Sequence, residues 1–70
     1  GMVEPLTRRE QEILALLAQR LTATEIAQKL VLSELTVKRH RANIYQKLGV
    51  NSRREAVAAA GALGILPVSA

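Results

Sequence analysis

His40 is the only histidine in a chain of 70 residues without cysteine. It lies in the run Lys38-Arg39-His40-Arg41, with no acid within one helical turn on either side. Acid–base catalysis needs a second titratable group within reach of the first, and a zinc site needs three or four His, Cys or carboxylate ligands. This sequence supplies neither, and it has no glycine-rich phosphate loop. No enzyme activity, metal or cofactor is therefore expected. The chemistry open to these residues is electrostatic: clustered cations that can hold a polyanion.

The charge distribution sharpens that expectation. Residues 1–34 carry four cations against five acids, and residues 55–70 carry Glu55 alone. Residues 35–54 carry Lys38, Arg39, Arg41, Lys47, Arg53 and Arg54 and no acid. The formal net charge of +4 is thus one local patch, as expected for a nucleic-acid partner. Single-stranded nucleic acid and RNA are poorly served, because Tyr45 is the only aromatic and no stacking platform can form. No apolar run approaches the roughly 20 residues needed to cross a bilayer, so no membrane partner is expected. Missing cysteines and export signals fit the cytoplasm. Gly1-Met2 resembles the scar of a removed tag.

Four helices must position the patch, and each has readable ends. Thr7-Arg-Arg-Glu10, Thr22-Ala-Thr-Glu25 and Ser52-Arg-Arg-Glu55 have the spacing of capping boxes, in which a hydroxyl and a glutamate satisfy each other's backbone N–H. Pro5 stops any helix upstream of the first. Ser33 caps the third helix, with Glu34 in its first turn, and Gly49 is placed to end it. The fourth ends at Gly64, with Pro67 just beyond. The apolar stripes are Ile13, Leu14, Leu16 and Leu17 on the first helix and Ile26, Ala27 and Leu30 on the second. Ala56, Val57, Ala60 and Leu63 can face the core from the fourth, which leaves Ala58, Ala59 and Ala62 as a small-residue surface for a second copy.

On the third helix, Ile44 centres the core face, with Val37 and Leu48 beside it. Leu35, Lys38, Arg39, Ala42 and Gln46 then face outward. Thr36, Asn43 and Lys47 run along one flank, Lys47 nearer the core. A short helix, a tight connection and a longer basic helix form a helix-turn-helix, whose second helix enters the major groove of double-stranded DNA. Lys38 and Arg39, near its N-terminus, are expected at base edges and the flank at phosphates.

The residues resemble the LuxR-type DNA-binding domain of bacterial transcriptional regulators. The resemblance runs from Leu6 to about Leu66 and is carried by Leu6-Thr7, Arg9-Glu10, Glu12, Leu16-Leu17-Ala18, Glu25-Ile26-Ala27, Leu30, Leu32-Ser33-Glu34, Thr36-Val37-Lys38, His40, Asn43-Ile44, Lys47-Leu48-Gly49-Val50, Ser52-Arg53 and Ala56-Val57. It implies an all-α, tetrahelical fold over residues 6–66, flanked by an N-terminal linker at 1–5 and a tail at 67–70. It also implies that Thr36, Lys38, Arg39, His40, Asn43 and Lys47 touch DNA, that the caps Thr22 and Ser33 lie near phosphate, and that Arg39 and Ala42 tune sequence preference. With Val37 and Gln46 from the same helix, these make up the expected DNA-binding set. The implied partners are a second copy joined on DNA through helix 53–63 at Ala58, Ala59 and Ala62, RNA polymerase, and an N-terminal signal-receiving domain. Arg20 departs from the pattern by standing where the family usually has glycine, and Ala23-Thr24 replace a pair that often brings a basic residue.

Region four of a sigma factor shares Glu25-Ile26-Ala27 and Thr36-Val37-Lys38, but normally ends near its recognition helix. Lys47-Leu48-Gly49-Val50 followed by a capped fourth helix favours the LuxR type. A helical protein–protein adaptor would suit a neutral or acidic face at residues 35–54 better than the basic one present.

Overall fold

A computed structural model describes residues 6–62 and 64. Its helices are α1 (Arg8–Ala18), α2 (Ala23–Leu30), α3 (Glu34–Leu48) and α4 (Arg53–Ala62), and no strand occurs among the described residues. The all-α, four-helix expectation holds. Pro5, Leu63 and Pro67, together with the expected linker and tail, lie outside the described residues.

The helix starts follow from the hydroxyl caps. Thr7 Oγ1 accepts from the Glu10 N–H at 3.1 Å, while Glu10 Oε1 accepts from the Thr7 N–H at 2.8 Å. Thr22 and Glu25 repeat this at 3.2 and 2.9 Å. Ser33 Oγ accepts from the Thr36 N–H at 3.1 Å. The third expected box is only half built. Ser52 Oγ accepts from the Glu55 N–H at 3.2 Å, but the Glu55 carboxylate takes the Asn51 N–H at 3.4 Å and the Ser52 hydroxyl at 3.3 Å, leaving the Ser52 N–H aside. The extra residue Asn51 in this connection brings a different N–H to the carboxylate.

The helix ends share one device. Arg20, Val31 and Gly49 adopt left-handed backbone, with φ of 67°, 57° and 69°. The next residue then sends its N–H back five positions: Leu21 to Leu16 O at 3.2 Å, Leu32 to Ala27 O at 2.9 Å and Val50 to Tyr45 O at 2.9 Å. This satisfies carbonyls that a helix end would leave open, and the apolar residue packs over the end. The first two connections therefore close on the same three-residue turn, a left-handed residue, an apolar one and a hydroxyl cap: Arg20-Leu21-Thr22, which follows Gln19 at the end of α1, and Val31-Leu32-Ser33 directly after α2. So short a link fixes the angle between α2 and α3.

The core is aliphatic. Ile13, Leu14, Ile26, Val37 and Ile44 are its largest fully buried side chains, joined by Leu6, Leu16, Leu17, Ala23, Ala27, Ala56 and Ala60. Helix α3 packs against all three others, and α1 also against α4. The basic helix is thus held from three sides, with one face left to solvent.

Candidate nucleic-acid interface

Ile44 is fully buried, and the residues on the opposite side of α3 are all open to solvent to some degree: Leu35, Lys38, Arg39, Ala42 and Gln46. Asn43 is exposed as well, while Thr36, His40 and Arg41 stand at the flanks. Ser33 and Thr22, the two helix caps, are exposed. At the start of α3 the hydroxyls of Ser33 and Thr36 share a 2.8 Å hydrogen bond, and Lys38 Nζ lies 3.4 Å from Glu34. Both partners of that ion pair are about half exposed, so it holds Lys38 weakly and leaves the ammonium available to a stronger anion.

Two of the expected contact residues stand away from the outer face of α3. Val37 is 0% exposed and belongs wholly to the core, so its side chain offers nothing to a ligand. Lys47 does not extend toward solvent. Its Nζ donates to Glu10 Oε1 at 2.7 Å, tying the last turn of α3 to the first turn of α1, and its side chain is 20% exposed. Glu10 itself is 3% exposed. Burial pushes its carboxyl up, but the hydrogen bonds from Lys47 and Thr7 and the lysine charge outweigh this and hold it below the usual carboxylate range. A buried carboxylate needs such partners. Sequence spacing revealed Thr7 and not Lys47, because the pair is separated by 37 positions and depends on how α1 crosses α3.

The basic run is also divided in space. Lys38 and Arg39 occupy the outer face of α3. Arg53 and Arg54 open α4 instead, lining with Arg20, Leu17, Ala18 and Val57 an open cleft of about 450 Å³ between the end of α1 and the start of α4. On α4, Ala56 and Ala60 are buried, Val57 and Ala59 half-buried, and Ala58 and Ala62 exposed. Tyr45, the single aromatic residue, packs partly buried against the core. Among the described residues no cluster of three potential metal ligands occurs, and no helix is long and apolar enough to cross a membrane.

A two-helix unit with a fixed connection, a basic outward face on its second helix and two further helices as support is an architecture shared with known proteins. The sequence profile described as bacterial regulatory proteins, luxR family, matches residues 4–60. The chain belongs to that family. It is the helix-turn-helix DNA-binding domain of a LuxR-family transcriptional regulator, and the family is not enzymatic. It is 52% identical over 52 residues to the spore germination protein GerE of Bacillus subtilis, covering 74% of this chain and 70% of that protein. It is 48% identical over 52 residues to the transcriptional regulatory protein UhpA of Escherichia coli, again covering 74% of this chain but only 26% of UhpA. The solved structure of GerE superposes with a TM-score of 0.84 at 41% identity, covering 91% of this chain and 96% of GerE. That of the response regulator ChrA, from a heme-sensing two-component system, superposes with a TM-score of 0.88 at 42% identity, covering 94% of this chain and 33% of ChrA.

Proposed function

We propose that α3 lies in the major groove of double-stranded DNA and reads sequence there. The observation that carries this is the outward face of α3, where Lys38 and Arg39 stand presented to solvent near the N-terminal end of a helix that the core grips from behind. Lys38 and Arg39 approach base edges. Thr36, His40 and Asn43 line the flank toward phosphate, with Ala42 and Gln46 further along the face. The exposed caps Thr22 and Ser33 sit at helix N-termini, which favour phosphate through open N–H groups and the helix dipole. Lys47 contributes by holding α3 in place.

A second copy pairs through α4 on DNA, where Ala58 and Ala62 are exposed and small enough for a helix to approach closely. Alanines bury little area, so the pairing is weak in solution and gains strength from adjacent half-sites. The chain spans about a quarter of UhpA and a third of ChrA, which supports a signal-receiving domain N-terminal to this one in the full regulator. RNA polymerase is the expected partner downstream of DNA binding, and the cytoplasm the expected location.

Fluorescence anisotropy across a salt series tests the groove reading. With Lys47 engaged elsewhere, about four phosphate contacts per domain give a log–log slope of affinity against salt near −4. Affinity that stays flat from low to moderate salt contradicts it.

A further inference from the structure

We propose that Leu35 is a specificity-determining residue that reads the 5-methyl group of one thymine per half-site; this rests on the groove docking proposed above. Leu35 is 62% exposed, and among the described residues only Val31 is another large hydrophobic left so open. Val31 belongs to the turn before α3, whereas Leu35 lies in the first turn of α3 itself. Nine residues separate Leu35 from the fully buried Ile44, which at 100° per residue puts the two about 180° apart. Leu35 is therefore at the centre of the outward face, in line with Ala42 and Gln46, with Lys38 and Arg39 to either side.

A leucine at that position cannot donate to or accept from a base edge. It would have to displace water from the polar edges of guanine, cytosine or adenine without replacing any hydrogen bond, which is unfavourable. The one apolar group that the major groove offers is the thymine methyl. The cations on either side draw the face into the groove, and the leucine gains only where a methyl meets it. The N-terminal turn of such a helix is the part that goes deepest into the groove, so the leucine meets a base edge and not the sugar–phosphate rim.

Replacing thymine by deoxyuracil removes the methyl and leaves every Watson–Crick and groove hydrogen bond in place. A preferred duplex is first selected from a random pool with the wild-type domain. Each thymine is then replaced singly by deoxyuracil, and affinity is measured by anisotropy. One position per half-site should lose roughly fourfold in affinity, about the worth of one methyl-sized group removed from water. Leu35→Ala should bind the thymine and deoxyuracil duplexes equally at that position, while Lys38→Ala should keep the difference. Circular dichroism of both variants checks that the exposed substitutions leave the fold intact. If wild type prefers its selected site yet is indifferent to every thymine-to-deoxyuracil change, the inference is overturned and the groove docking stands. If Leu35→Ala retains the discrimination, another side chain reads the methyl, and the inference is again overturned. If no preferred sequence emerges from the pool, the docking and the inference fall together.

Discussion

Glu10 joins three parts of the molecule through one carboxylate: the cap of α1, the body of the core and the last turn of α3. Removing one partner of a buried ion pair leaves an uncompensated charge, which costs about 3–5 kcal/mol when both groups are fully desolvated. The Lys47 end is partly solvated, so Lys47→Met should destabilise the domain by about 2 kcal/mol in chemical denaturation. Adding Glu10→Gln to that variant should recover part of the loss. The lowered Glu10 pKa gives a pH signature of definite sign. Because the folded state holds this carboxyl ionised to lower pH than the unfolded chain does, its stabilisation is complete above the ordinary value of about 4.3 and is lost as pH falls through the folded value. Acidification below about pH 4.3 should therefore lower the melting temperature of wild type more steeply than that of Glu10→Gln. Parallel curves would show that the pair contributes nothing to folding.

The connections between helices repeat one backbone solution on unequal side chains. Gly49 takes its left-handed conformation without penalty, with open space where a Cβ would point. Arg20 and Val31 take the same conformation with a Cβ, and Val31 with a branched one, at roughly 1–2 kcal/mol each. Val31 is 90% exposed, so its side chain returns little of that cost by packing. Val31→Gly or Val31→Asn should raise the melting temperature by a few degrees, the shift expected for about 1 kcal/mol in a small domain. No change, or a decrease, would mean that the turn is not strained. This is also the scale at which the sequence was most and least legible. Hydroxyl–glutamate spacings and Gly49 marked three helix starts and one end, because those signals are local in the chain. The left-handed turn at Val31 carried no such mark, since valine is the residue type least suited to it. Its clue was the pattern shared with Arg20-Leu21-Thr22, an apolar residue between an exposed residue and a hydroxyl cap. Angular placement on α3 separated Ile44 from Lys38 and Arg39 correctly. It could not show that Lys47, at the core edge, points to a glutamate on another helix, which depends on tertiary packing.

At the scale of the whole domain, the basic helix is supported on three sides by α1, α2 and α4 and open on the fourth. The pairing proposed for α4 belongs to this scale, because the outer alanines of that helix face solvent in a single domain. A charge introduced there should separate pairing from binding. Ala62→Glu should reduce cooperativity on a duplex with two half-sites while leaving affinity for one half-site and the thermal melt nearly unchanged. If the variant binds paired half-sites as cooperatively as the parent, the copies do not meet through α4.

The proposed reading of bases by Lys38 and Arg39, with the rest of the domain positioning them, is tested most directly by a ratio. Affinity for a selected duplex divided by affinity for a scrambled one should fall for Lys38→Ala and for Arg39→Ala, by roughly 1–3 kcal/mol for each side chain that no longer bonds its base edge. Lys47→Met, by contrast, should lower folded stability and leave the ratio of the folded fraction unchanged. Equal losses on selected and scrambled DNA for Lys38→Ala and Arg39→Ala would contradict the account, because those side chains would then be holding phosphates and the sequence would be read elsewhere.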